Sequence, residues 1–282
     1  MRYIEQHSRT AIWSYRIALL SVFVFTGAFL WHRFFGAPAP LALKILGGAV
    51  AVAAASLVLG AASLVPIWKE GHLGAVRASA AIFLSALVLA VPLSQLPAFL
   101  QLPRLYDVTT DTAAPPAFDR VVKIRQGQAN PVHYEPSFAA LQAAAYPDIK
   151  PLQIQRPLID VYSAVRDTVK ALKWKIIDEQ APDGTRNGYI EAVDRTLFFG
   201  FTDDIALRVT GSAKMAKVDV RSSSRFGEHD LGRNAERIRR FLSEVRLRLA
   251  ELERLDRMDR MMASREKDND KTKTPAKAAA HK

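Results

Sequence analysis

Three apolar blocks fill most of the first 101 residues, and no comparable block follows. Ile17–Trp31, Ile45–Ile67 and Ala78–Leu100 are each close to the length that crosses about 30 Å of hydrocarbon at about 1.5 Å per helical residue. The first is the shortest and gains length from its flanking aromatics Tyr15, Phe34 and Phe35. Its downstream flank, Trp31-His32-Arg33, has no small-residue cleavage signal, so the pattern predicts a retained helix and not a removed leader. Residues 1–101 therefore read as a three-helix transmembrane region.

Beyond residue 101 the pattern changes twice. Residues 102–151 carry Pro115, Pro116, Pro131, Pro136, Pro147 and Pro151, too many for long regular elements. Phe118, Val121, Tyr134, Phe138 and Tyr146 are interleaved with them, which predicts an extended segment packed on a domain, with a short helix near Ser137–Ala145. From residue 152 the periodicities sharpen. A short strand is expected at Leu152–Gln155. Val161, Val165, Val169 and Leu172 recur at helical spacing behind Pro157, which suits a first helical position. Trp174–Asp178, Gly188–Val193 and Leu197–Phe201 read as strands, the last two separate or as one bent strand. Asp204–Thr210 and Lys217–Ser223 alternate apolar and polar residues, as strands with one buried face do. A long helix is expected from about Leu231 to Ala263, where Ile238, Leu242, Val245, Leu249 and Leu252 step by four and three.

This order predicts an α+β chain: three transmembrane helices, then an antiparallel sheet with helices packed on one face, ending in a long helix. The α+β domain is expected over residues 152–263. Residues 264–282 form a basic tail without apolar residues to build a core, expected to be disordered.

Composition changes this picture only where it is uneven. A hydrophobic content of 49% looks ordinary, but it averages an apolar front on a polar remainder. The net charge of +11 would suggest nucleic acid in a soluble protein. Here the cations flank membrane segments and crowd the last helix and tail, which suits anionic lipid headgroups, and nucleic acid is not expected as a partner. The chain has no cysteine, which removes disulfides and thiolate chemistry. No acidic residue interrupts the three apolar blocks, which argues against an ion-coupled transporter. The small residues of the second block, from Gly47 to Ala62, suit close helix packing within one chain or a homo-oligomer.

Lys and Arg near the block ends set the expected orientation. Arg2, Arg9, Arg16, Lys69 and Arg77 lie on one side, and Arg33, Lys44 and Arg104 on the other. The N-terminus is expected in the cytoplasm of an inner (plasma) membrane. Three crossings then carry the following domain into a periplasm.

The candidate chemistry gathers late in the chain. Asp203, Asp204, Arg208, Asp219, Arg221, Arg225, Asp230 and Asn234 lie in or between neighbouring strands and form the candidate ligand-binding set. Alternation puts Asp219, Arg221 and Ser223 on one face, with Arg208 beside them, so bidentate guanidinium–carboxylate pairs can form. Three readings stay open: a structural ion-pair network, a site for an anionic or polar ligand, and a catalytic site. Asp203 and Asp204 are adjacent on a strand and point to opposite faces, so they do not form an acid–base dyad. No catalytic residue is assigned, and no metal or cofactor is expected. Phe198, Phe199 and Phe201 read as packing residues, and His229 as a surface histidine.

Four stretches in order carry a family likeness. They are Asp107-Val-Thr-Thr-Asp-Thr with Pro115-Pro116-Ala-Phe118; Ala145-Tyr-Pro-Asp-Ile149; Phe198-Phe-Gly-Phe-Thr-Asp-Asp204; and Asp219-Val-Arg-Ser-Ser-Ser-Arg225 with Asp230-Leu-Gly-Arg-Asn234. This succession resembles the bacterial and plastid family called domain of unknown function 1499, over roughly Leu102–Val245. The resemblance implies a domain that bacterial members often carry behind membrane helices. It implies no activity, and nothing transfers to the helix beyond Val245. The expected function is a non-enzymatic envelope protein that presents its domain to a polar or anionic ligand or to a partner protein. The alternative is an enzyme modifying envelope lipid or cell wall through the Asp/Arg cluster.

Overall fold

A computed structural model describes residues 6–125, 130–183 and 186–278. Three long helices come first: α1 (Arg9–Phe35), α2 (Ala39–Glu70) and α3 (Ala75–Gln101). Their 27, 32 and 27 residues and their hydropathy are those of membrane spans. At about 1.5 Å per residue even the shorter two reach about 40 Å, longer than the hydrocarbon core and able to extend past it. Small side chains let them pack closely: Ala11 and Ala18 of α1, Ala49, Ala53 and Gly60 of α2, and Ala78 and Ala81 of α3 are all buried. The Ser56 hydroxyl of α2 donates to the Ser14 carbonyl of α1 at 2.7 Å. Such pairs serve where lipid supplies no hydrophobic drive between helices. The C-terminus of α1, the N-terminus of α2 and the C-terminus of α3 share one end of the bundle, and the rest of the chain builds on that end.

The sheet has β1 (Asp107–Thr109), β2 (Leu152–Ile154), β3 (Lys175–Gln180), β4 (Gly188–Arg195), β5 (Thr202–Gly211) and β6 (Ala216–Ser224), all pairs antiparallel. Its order is β1-β6-β5-β4-β3, and β2 shares the outer edge of β6 with β1. β1 covers Arg221–Ser223 and β2 covers Ala216–Val218, so that edge is closed by two short strands laid end to end. The helices α6 (Leu158–Ala171) and α7 (Arg233–Ala278) cover one face; two short helices, α4 (Val121–Ile124) and α5 (Phe138–Ala145), lie in the Pro-rich segment. Ile190, Ile205, Leu207, Val209, Val218 and Val220 of the sheet meet Val161, Val165 and Val169 of α6 and Ile238, Phe241 and Val245 of α7 in one core. Trp174 stacks on Phe241 at 5.3 Å.

The α+β architecture is the one the periodicities predict, with three differences. Leu197–Phe201 is not a strand. It is the turn joining β4 to β5, where Gly200 takes φ 78°. Its aromatics pack against a partner that sequence patterning does not reveal, as described below. Asp107–Thr109 is a strand although the Pro-rich segment gives it no length, because β6 offers an open edge. Finally, α7 continues through residues 264–278, where no order was expected. Ala, Lys, Arg and Glu favour helix without needing a core. Residues 279–282 of that tail lie outside the described residues, as do Arg2, Gly184 and residues 126–129.

Candidate functional site

Strand alternation sorts the eight candidate residues into two groups on opposite faces. Asp204, Arg208, Asp219, Arg221 and Arg225 lie on or beside the face away from α6 and α7. Asp203, Asp230 and Asn234 lie on the helix side, at the start of α7. Asp203 and Asp204 part in this way, as adjacent strand residues must.

The face away from the helices is closed by a strap, Asp111–Arg125 and Asn130–Tyr134. Phe118 and Val121 pack on Ala206 there. Arg221 forms a fork with Asp107, at 2.7 Å from Nη2 to Oδ2, and also donates to the carbonyls of Pro116 and Val132. Its guanidinium lies 4.6 Å from the Phe118 ring. Asp204 is fully buried and receives two arginines: Arg125 from the strap at 2.6 Å and Arg225 at 2.7 Å. Asp219 binds Arg208 at 2.8 Å and Lys217 at 3.0 Å, and both cations also reach Asp111. Glu191 is buried and accepts from three consecutive strap amides, Asp119, Arg120 and Val121, at 2.7–3.0 Å for the nearest contact of each. Within the strap, burial pushes the Tyr134 hydroxyl up to about 12.

Apart from Asp219 Oδ1 and the Tyr134 hydroxyl, which are buried without a hydrogen-bond partner, these groups satisfy one another. A carboxylate gripped by two guanidiniums has few lone pairs left for a ligand, and the strap covers them from solvent. Charged pairs buried this way cost desolvation and are held by geometry and extra hydrogen bonds. The cluster's chemistry is that of a lock between strap and sheet.

The second group caps a helix. Asp230 accepts from the amides of Gly232 and Asn234, at 2.8 and 2.9 Å. Asn234 bonds the Ser222 and Ser224 hydroxyls and the Tyr106 carbonyl. Arg237 bridges Asp194 at 2.9 Å and Asp203 at 2.6 Å. Burial pushes the carboxyls of Asp203 and Asp230 above the ordinary aspartate value; Arg237 opposes this at Asp203 and the helix amides oppose it at Asp230.

This second group borders the bundle. The turn Thr196–Phe201 reaches α1, where Phe198 and Phe199 lie 5.0 and 5.7 Å from the Phe29 ring and Phe201 lies 5.1 Å from His32. A Cβ on Gly200 would fall 2.9 Å from Arg33 Cδ, so the close approach and the left-handed φ both require glycine there. On the other side His229 stacks on Phe99 of α3 at 5.2 Å. Between these two anchors lies a cavity of about 520 Å³. Leu43, Val91, Ser94 and Gln95 of the bundle form one wall. Phe198, Phe199 and Phe201 form a second. Asp203, Ser224, Asp230 and Arg233 form a polar end.

Sequence reasoning missed Arg125, Glu191 and Arg237. Glu191 carried a signal, a lone acid inside the otherwise apolar Tyr189–Val193 run. Arg125 and Arg237 carried none, because their partners are distant in the chain. Among the described residues no three His, Asp or Glu side chains gather as a metal ion would require.

Fold and site together define a class: a membrane-embedded helical bundle bearing a strapped α+β domain. Residues 107–245 match the family model described as protein of unknown function, DUF1499. The match spans the strap, the whole sheet, α6 and the packed part of α7, and in this domain the chain is similar to that family. No curated protein and no solved structure matches the chain.

Proposed function

We propose that the chain is a non-catalytic envelope protein whose domain holds one amphiphile, a lipid or lipid-like molecule, at the boundary between bundle and domain. The observation that carries this is the cavity's two-sided lining. Bundle side chains and three phenylalanines form an apolar slot, and it ends in the buried Asp203, Ser224 and Asp230 and the exposed Arg233. Pockets with apolar walls and a few placed polar groups are the usual form of small-molecule sites. The Asp/Arg cluster under the strap is spent on internal pairs, which supports binding over catalysis. In this reading the N-terminus is cytoplasmic and the domain periplasmic, which the distribution of Lys and Arg supports.

Native mass spectrometry of the full chain, released from membranes in mild detergent, tests the proposal. One retained amphiphile per chain is expected. Ser94→Trp, which fills the slot from its lipid-compatible wall, is expected to abolish retention with the melting temperature unchanged. Absence of a retained amphiphile, or equal retention by Ser94→Trp, overturns it.

A further inference from the structure

Most arginines of the domain are paired: Arg125, Arg156, Arg166, Arg208, Arg221, Arg225, Arg237 and Arg239 all reach carboxylates. Several exposed cations are not, and five of these share one place. Among the described residues, no carboxylate pairs with Lys173, Lys175, Arg195, Arg233 or Arg240, and all five line one open groove of about 760 Å³. Four elements bring them together. Lys173 sits in the left-handed turn that ends α6, with φ 59°. Lys175 begins β3, Arg195 ends β4, and Arg233 and Arg240 lie two turns apart at the start of α7. Of the groove's two acids, Asp194 is held by Arg237, and Glu236 offsets one charge of the five, so the groove stays cationic.

The groove's rim carries exposed apolar residues. Leu197, at the tip of the β4–β5 turn, lines it and is 92% exposed; Phe198 beside it is 57% exposed. The same turn packs on Phe29, six residues inside the end of α1. That depth, about 9 Å by helical rise, sets the tip at the level of the span itself. An exposed Leu-Phe tip flanked by cations at that level matches an interfacial membrane contact, apolar residues in the headgroup boundary and Lys/Arg on its polar side.

We infer that this groove receives anionic phospholipid headgroups from the bilayer that the bundle spans, with Leu197 and Phe198 dipping among the acyl chains. The occupant follows from charge complementarity and from continuity with the membrane helices. Arginine forks suit a phosphodiester, and a surface so placed meets lipid before any soluble anion. The inference does not rest on the cavity, although Thr196 and Arg233 form walls of both.

The test uses the full chain in detergent with an equal mixture of phosphatidylglycerol and phosphatidylcholine, read by native mass spectrometry. Enrichment of phosphatidylglycerol among bound lipids is expected. Arg195→Gln with Arg240→Gln, both exposed positions, is expected to reduce the enrichment about fivefold for each cation removed. The Ser94→Trp chain keeps the enrichment, which separates failure here from failure of the cavity. Three results overturn the inference: no headgroup preference in the native chain, a preference unchanged in the double variant, or complete displacement by inorganic phosphate, which assigns the groove to a free anion. Tighter binding of an RNA oligonucleotide than of phosphatidylglycerol overturns it as well.

Discussion

Arg221 illustrates how single residues hold this domain. It crosses from β6 to Asp107 on β1 and to two strap carbonyls, and almost none of it meets solvent. Removing it leaves the Asp107 carboxylate buried without its fork. The expected cost is about 3–5 kcal/mol, the range for breaking a buried pair from one side. Arg221→Ala and Asp204→Ala are each expected to lower the denaturation midpoint by a comparable amount, read by circular dichroism in detergent. If either variant instead kept native stability, the cluster would be free for a ligand. At this scale the sequence was partly legible. Alternation placed Asp219, Arg221 and Ser223 on one face correctly, because side-chain direction along a strand is a local property. Partner choice was not, because Asp107 and Arg125 are brought to these residues only by the fold.

Elements are joined here by capping and by close approach. Glu191 on β4 accepts from three successive amides where the strap begins α4, so one side chain serves as an N-terminal cap for a segment seventy residues away in sequence. Glu191→Gln keeps the shape but sets an NH2 group against amide donors, and the expected loss is about 2–4 kcal/mol. Limited proteolysis should then cut the strap between Asp111 and Arg125 well before the sheet is cleaved. Resistance equal to the native chain would remove Glu191 from this role. The strap's existence was visible in its interleaved prolines and aromatics, whereas its position was not. A Pro-rich segment has no periodicity to name the face it covers. The Leu197–Phe201 turn misled for a related reason: three aromatics in five residues satisfy strand preference, and their true partner, Phe29, lies in a different part of the molecule.

For the whole molecule, the odd number of spans places the domain and the N-terminus at opposite ends of the bundle. His7 bridges Leu73 in the loop between α2 and α3, at the end of the bundle away from the domain. The distribution of Lys and Arg then predicts the compartments. A reporter fused after Lys282 is expected to be active only when it is one that works in the periplasm; activity of a cytoplasm-only reporter would reverse the orientation and remove the periplasmic reading.

By itself the sequence determined the number of spans, the α+β class, most strands and the amphipathic faces of α6 and α7, because each follows from a period of about 2 or 3.6 within a short window. Tertiary structure alone decided three things. It turned the Asp/Arg cluster inward by laying the strap over it. It made a cavity from α2, α3 and the β4–β5 turn. It also collected five unpaired cations from four elements into one groove beside an exposed leucine. Each depends on contacts between residues dozens of positions apart, and no local periodicity encodes them.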